Sequence, residues 1–101
     1  MLDNQPGRFF DELKARGAEL HLGSVADAAL LAKLVRNCDV VHHLAAAFRQ
    51  INVPKRVYWE VNVEGTRRLL QAALEARVKK FVYCSTQGVH GLIARTPGDE
   101  T

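Results

Sequence analysis

The chain has 101 residues, of which 48% are hydrophobic and 25% charged, and its formal net charge is +3. This length and composition are typical of one globular domain and exclude a disordered or disulfide-rich chain. No apolar run approaches the ~20 residues that span a bilayer, and no basic flank followed by a hydrophobic run opens the sequence. We therefore predict a cytoplasmic protein that does not bind a membrane.

The excess of positive charge falls at predicted helix surfaces and element ends. The sequence lacks the interleaved aromatic and basic residues and the recognition-helix motif of a nucleic-acid-binding protein, so we predict no nucleic-acid partner. Cys38 and Cys84 lie in or beside apolar segments without metal-ligand spacing. This favours two reduced, buried thiols and no metal site.

The first half of the chain predicts a helix, a strand and a second helix. Residues 9–13 place apolar side chains on one helical face, and Gly17 offers a left-handed end to that helix. The alternation in ELHLGSV, residues 19–25, predicts a strand that breaks at Gly23. Asp27 can then cap a helix whose apolar residues are Leu30, Leu31, Leu34 and Val35.

The second half predicts two further strands on either side of a long helix. DVVHHLAAA, residues 39–47, reads as a central parallel strand covered on both faces, and VKKFVYC, residues 78–84, as another strand. Residues 57–76 carry apolar side chains at fourfold spacing, with Gly65 permitting close approach of the helix to the sheet. Strands separated by helices predict an α/β, doubly wound parallel sheet.

Polar side chains occupy positions where a ligand could reach them. Ser85 and Thr86 follow the last strand, and ligands bind beyond the carboxyl ends of strands in open α/β sheets. Hydroxyls at such a place also cap turns, so both interpretations stay open. His42 and His43 point to opposite faces of their strand and lack ligand partners, which favours a hydrogen-bonded histidine over a metal ligand.

Four motifs in order resemble the NAD-dependent epimerase/dehydratase family, the extended short-chain dehydrogenases/reductases. They are HLAA (43–46), NVEGT (62–66), RRLLQAALEA (67–76) and KKFVYCSTQGVHG (79–91), and LDN (2–4) resembles the end of the family's second strand. The resemblance implies a partial Rossmann-like doubly wound parallel sheet that lacks the first strand and the C-terminal substrate region. Residues 1–101 would then be a fragment of a single NAD(P)-binding domain.

The resemblance also implies a set of cofactor contacts. Asp3 would accept from the adenosine ribose, and its charge would repel the extra phosphate of NADP, so NAD is expected and NADP is less favoured. Ser24 stands where the family usually has an acidic residue near adenine, which weakens that contact. The alternatives are a solvated Asp3 and core packing for Leu44. The implied cofactor residues are Asp3, Asn4, Ser24, Val25, Leu44, Ala45 and Ala46.

The catalytic residues implied by the resemblance are Thr86, which aligns with the family's substrate-binding hydroxyl, and Asn62, which organises the polar network around it. Ser85, Gln87 and Gly88 would shape the substrate loop. From the residues alone, Asn62 could equally face solvent, although a poor helix former in mid-helix favours a specific hydrogen bond.

Two parts of the family's machinery do not occur in the 101 residues: the turn G-x-x-G-x-x-G and the pair Y-x-x-x-K. The two tyrosines, Tyr58 and Tyr83, are followed four residues later by Asn62 and Gln87. We therefore expect an internal fragment that is inactive alone. Because the family's first strand lies between the second and fourth strands, its absence should separate the remaining strands.

The parent is expected to be an NAD-dependent oxidoreductase, epimerase or dehydratase acting on a hydroxyl or keto group of a sugar nucleotide or other small molecule. The alternatives are a non-catalytic NAD-binding sensor or scaffold of the same fold, and an interaction domain that dimerises through its open edges.

Overall fold

The computed structural model describes residues 1–92, in which short strands alternate with helices. The elements in chain order are β1 (Leu2–Asp3), α1 (Phe10–Ala15), β2 (His21–Leu22), α2 (Ala28–Leu34), β3 (Val40–His43), α3 (Lys55–Tyr58), a π-helical segment (Trp59–Gly65), α4 (Thr66–Glu75), β4 (Lys80–Tyr83) and a 3₁₀ turn (Gln87–His90). This order confirms the predicted α/β class.

The strands form two separate parallel pairs. β1 pairs with β2, with Asp3 opposite Leu22, and β3 pairs with β4, with His43 opposite Tyr83. Within residues 1–92 no hydrogen-bonded ladder joins the two pairs. The sheet is therefore divided as expected for a doubly wound fold without the strand that lies between them.

The predicted helix boundaries of the first half are confirmed. After α1, Gly17 adopts a positive φ of 88°, which glycine tolerates without a steric penalty. At the start of α2, the Asp27 carboxylate accepts a hydrogen bond of 3.1 Å from the backbone N–H of Leu30.

Three strand predictions were too long, since β4, Lys80–Tyr83, also covers only part of residues 78–84. In residues 19–25 the predicted break at Gly23 is confirmed, but the strand before it, β2, begins at His21 rather than at Glu19 and has only two residues. β3 ends at His43 rather than at Ala47, and Leu44 beyond it is 72% exposed. Within residues 1–92 β3 has a hydrogen-bonded neighbour on one side alone, so it is an edge strand there rather than the predicted central strand, and Val40 is also exposed.

The long helix is present but is not uniformly α-helical. It begins at Lys55, passes through the π-helical segment and ends at Glu75. Gly65 does permit a close approach, since a Cβ there would lie 2.9 Å from Val25 Cγ1. The contact is with the loop after β2 and not with the sheet, so this part of the prediction was wrong.

Two helices carry the core and connect the strand pairs. Leu31 lies in α2 and Val35 directly follows its last residue, and both pack against Leu69 and Ala72 of α4. Side chains from both strand pairs cover this cluster; the partly buried residues against it are Leu2, Val25, Val41, Ala76 and Phe81. Burial of apolar side chains between the helices and the strands therefore connects the two strand pairs, which no backbone ladder joins within residues 1–92.

Both cysteines are free, as predicted, but their environments differ. Cys38 is partly buried and its thiol donates to the carbonyl of Leu34 at 3.4 Å. Cys84 is exposed, so the prediction of a buried thiol was wrong there, because Cys84 follows β4 at the polar edge of the pair. None of the helices within residues 1–92 has the length and apolar character needed to span a membrane.

Candidate functional site

The first candidate edge lies where β1 and β2 end. The backbone N–H of Gly23 donates to the carbonyl of Asp3 at 2.9 Å, so the residues after both strands lie together. Asp3 Oδ1 accepts from the N–H of Gln5 at 3.4 Å, and Ser24 Oγ accepts from the N–H of Ala26 at 3.1 Å. Both side chains are exposed and keep acceptor capacity beyond these local bonds, as does the exposed Asn4.

The second edge lies where β3 and β4 end. Cys84 N–H donates to the His43 carbonyl at 3.1 Å, which sets the segments that follow the two strands side by side. Leu44, Ala45 and Ala46 are exposed there, so core packing of Leu44, the alternative considered from sequence, does not occur. Three predicted substrate-loop residues follow β4: Ser85, Gln87 at the start of the 3₁₀ turn, and Gly88.

Thr86 caps that 3₁₀ turn. Its Oγ1 accepts from the N–H of Gly88 at 3.3 Å, so the turn-capping interpretation describes the structure. Accepting this bond occupies one lone pair and leaves the hydroxyl proton free to be donated. The exposed hydroxyl of Thr86 can therefore cap its own turn and still donate to a bound oxygen.

Asn62 anchors the loop that follows β3. Its Oδ1 accepts from the backbone N–H of Ala47 at 2.8 Å, and its Nδ2 donates to the carbonyl of Ala47 at 3.0 Å. Tyr58 makes a similar pair of bonds with the backbone of Gln50, at 3.0 and 2.9 Å. The expectation of a specific hydrogen bond for Asn62 is confirmed, and the solvent-facing alternative does not occur.

His43, the last residue of β3, is 2% exposed and bonds through Nε2 to Thr66 Oγ1 at 2.8 Å. The interpretation of His43 as a hydrogen-bonded core histidine is confirmed, while His42 is exposed. Burial lowers the pKa of His43 below the 6.5 of a free imidazole. Thr66 was not predicted from the sequence as the hydrogen-bond partner of His43. The signal that could have indicated it is that Thr66 is the last residue of the motif NVEGT.

The long helix also contacts the first edge. Gly65 packs against Val25, and the guanidinium of Arg68 donates to the carbonyl of Ala26. The predicted cofactor residue Val25 is therefore half-buried against the helix. One continuous helical element thus contacts the loops at both strand edges.

The predicted site residues fall into these two groups. The β1–β2 edge holds Asp3, Asn4, Ser24 and Val25. The other predicted site residues lie at or beside the β3–β4 edge; they are Leu44, Ala45, Ala46, Asn62, Ser85, Thr86, Gln87 and Gly88.

A cleft of about 220 Å³ lies elsewhere, between α2 and α4, and its lining residues are Ala32, Arg36, Ala72, Glu75 and Ala76. The described part of the chain has no cluster of three histidine, cysteine, aspartate or glutamate side chains suited to a metal ion.

Proteins of known structure share the fold of this chain. A dTDP-glucose 4,6-dehydratase double mutant from Streptomyces venezuelae, solved with NAD and DAU bound, is 35% identical with a TM-score of 0.76, over 93% of this chain and 31% of its own. UDP-glucose 4-epimerase from Bifidobacterium longum, solved with NAD+ and UDP, is 25% identical with a TM-score of 0.78, over 98% and 32% respectively.

Sequence comparison gives the same family. The chain is 33% identical over 98 residues to the N-acetyl-alpha-D-glucosaminyl-diphospho-ditrans,octacis-undecaprenol 4-epimerase of Escherichia coli O157:H7, covering 97% of this chain and 28% of that protein. The chain therefore spans less than a third of the length of this relative. Residues 3–101 match the NAD dependent epimerase/dehydratase family. The chain belongs to this family, and its structure is a partial Rossmann-like fragment of the family's fold.

Proposed function

We propose that the chain supplies part of the NAD site and the substrate-binding hydroxyl of an NAD-dependent oxidoreductase, epimerase or dehydratase. The substrate would carry a hydroxyl or keto group on a sugar nucleotide or another small molecule. The observation that carries this proposal is that one helix anchors both strand edges, through Gly65 on Val25 and through Asn62 on Ala47. A dinucleotide binds across the crevice beyond the carboxyl ends of the strands in a doubly wound sheet, so residues at both edges can contribute to one site.

The side chains of the first edge fit the adenosine half of NAD. Asp3 is exposed, and its carboxylate retains acceptor sites for ribose hydroxyls after accepting from Gln5. The same negative charge disfavours the 2′-phosphate of NADP. Ser24 retains one lone pair and its proton for adenine, a neutral contact that is weaker than that of a carboxylate.

The second edge fits the remainder of the cofactor and the substrate. Ala45 and Ala46 expose small side chains, which allow a ligand to approach the backbone, and Leu44 beside them offers an apolar surface. NAD, when bound, supplies hydride transfer. Thr86 would donate its free hydroxyl proton to the substrate oxygen and so hold and polarise it.

The isolated chain is proposed to bind without turning over. Its 101 residues contain no Y-x-x-x-K pair, so Thr86 and Asn62 lack the tyrosine and lysine with which the family moves the proton. Dehydrogenase turnover by the 101-residue chain would contradict this part of the proposal.

Calorimetric titration with NAD and NADP tests the cofactor assignment. The wild-type chain is expected to bind NAD more tightly than NADP. Asp3→Asn should weaken NAD binding by about tenfold, the usual effect of a charge-assisted hydrogen bond, and reduce the preference for NAD. Asp11→Asn, an exposed carboxylate on α1, is the matched control and should change neither affinity. Equal NAD binding by both variants would contradict the role of Asp3.

A further inference from the structure

The proposed function makes no use of His43, although its polar side chain is buried in the core. Its ring stacks on Tyr83, with centroids 5.5 Å apart, and meets the edge of Phe81 at 6.2 Å. A buried polar group that lacked a hydrogen bond would destabilise the fold, and the partner of His43 is Thr66, 23 residues further along the chain.

The direction of this hydrogen bond follows from the number of protons available. Thr66 Oγ1 has one proton and donates it to the carbonyl of Asn62 at 2.8 Å, because a carbonyl can only accept. The 2.8 Å contact between Thr66 Oγ1 and His43 Nε2 must then use a proton from the ring. Burial keeps the ring neutral near pH 7, so its single proton resides on Nε2.

The chain of hydrogen bonds continues to the exposed segment. His43 donates to Thr66, Thr66 donates to the backbone of Asn62, and the Asn62 amide holds both backbone groups of Ala47. His43 and Ala47 are the two ends of the segment 44–46, whose residues are exposed. Residues 44–46 therefore lie between two anchored residues, His43 and Ala47, and the hydrogen bonds of Thr66 and Asn62 connect these two residues.

We propose that His43, as the Nε2–H tautomer, is a positioning residue that fixes the conformation of segment 44–47 through Thr66 and Asn62. The importance of this segment for NAD rests on the proposed function, whereas the positioning itself does not. His43 touches no ligand in this role. It acts by setting the place of the Ala47 backbone relative to the end of β3.

Four variants separate positioning from general stability. His43→Phe keeps the aromatic packing against Tyr83 but removes the donor, and Thr66→Val removes the hydroxyl with little change of shape. His43→Gln retains a side-chain N–H donor, and Thr66→Ser retains the hydroxyl. The measurement is amide hydrogen exchange at Ala47, compared with Gly23, whose N–H is bonded to Asp3 in the other strand pair.

In His43→Phe and Thr66→Val, exchange at Ala47 is expected to rise about tenfold more than at Gly23, the scale of one lost hydrogen bond. In His43→Gln and Thr66→Ser the ratio of the two rates should stay near the wild-type ratio. Parallel changes at Ala47 and Gly23 in every variant would overturn the proposal. If His43→Phe does not fold, the pair Thr66→Val and Thr66→Ser decides the question.

Long-range proton–nitrogen correlations in the wild-type chain provide an independent test. A protonated Nε2 and an unprotonated Nδ1 on His43 support the proposal, and the opposite tautomer overturns it. NAD titration of the same variants separates the two claims. A chain that binds no NAD contradicts the proposed function, while the exchange ratio at Ala47 still decides the role of His43.

Discussion

The two strand pairs have the same parallel pairing but are held in different ways. β1 and β2 contribute two residues each, and the polar side chains after them bond locally, Asp3 to Gln5 and Ser24 to Ala26. β3 and β4 contribute four residues each and include the buried His43. Beyond β3, Asn62 bonds to Ala47, 15 residues away.

Both edges thus have tertiary contacts with the long helix, the first through Gly65 and Arg68 and the second through Asn62. They differ in that the polar side chains after β1 and β2 bond only to nearby backbone groups. Local turn bonds at exposed sites contribute little to the free energy of unfolding. A partly buried asparagine that holds two backbone groups contributes more, because its loss leaves both groups unsatisfied. Substitutions at the two edges should therefore differ in cost.

The largest effect is expected for Asn62→Ala. Loss of both bonds to Ala47 should lower the free energy of unfolding by about 2–4 kcal/mol, counting two hydrogen bonds and the groups left unpaired. Urea denaturation measures this change. Asn4→Ala, the matched exposed asparagine at the first edge, should change stability by less than about 0.5 kcal/mol. Equal losses in both variants would remove the distinction between the edges.

A smaller effect is expected for Gly65→Ala. The new Cβ would lie 2.9 Å from Val25 Cγ1 and 3.3 Å from the carbonyl of Glu60 in its own helix, so either the Val25 side chain or the helix must shift. Overpacking of this kind costs about 1–3 kcal/mol, partly offset by the better helix propensity of alanine, about 1 kcal/mol.

The double variant Gly65→Ala with Val25→Ala tests the cause. Because the shortest contact of the new Cβ is with the Val25 side chain, removing that side chain should recover much of the loss. Additive losses in the double variant would show that the Val25 contact does not limit the approach of the helix.

The pH dependence of stability should also distinguish the edges, through His43. Its pKa in the folded chain is lowered below 6.5, so the unfolded state binds more protons as the pH falls below this value. The His43 contribution to the free energy of unfolding is therefore present above pH 6.5 and is lost as the pH falls through the folded pKa. Denaturation at about pH 7.5 and about pH 5.5 should give a smaller difference in His43→Gln than in the wild-type chain. An unchanged difference would contradict the burial effect.

The smallest effects are expected for the exposed turn hydroxyls, one at each edge. Ser24→Ala and Thr86→Val each remove an acceptor for a backbone N–H, and each should change stability by less than about 0.5 kcal/mol. Thermal denaturation of the two variants in parallel measures this. A loss of more than about 1 kcal/mol in Thr86→Val alone would show that the second edge also depends on its local turn.

The sequence was sufficient for features that depend on neighbours along the chain. The Asp27 cap and the positive φ of Gly17 follow from the chemistry of those residues, and both are confirmed. The four motifs predicted the family and the parallel α/β fold, which the comparisons confirm. Arg77 also adopts a positive φ, of 55°, which its residue type did not indicate.

The features that escaped prediction depend on distant partners. The apolar spacing of residues 57–76 fits an uninterrupted α-helix, and nothing in it predicted the π-helical turns of Trp59–Gly65. The bond between His43 and Thr66 joins residues 23 apart, so neither residue type revealed the other. Strand lengths were overestimated because apolar residues such as Leu44 can lie exposed beyond a strand.

A backbone NMR titration of the 101-residue chain with NAD tests the central claim, that one helix holds two edges of a single dinucleotide site. We expect saturable shifts at amides of both edges, including Asp3 and Ser24 at the first and Ala45 and Ala46 at the second. Shifts confined to the cleft between α2 and α4, at Ala32, Arg36 and Ala72, or to one edge alone, would contradict it.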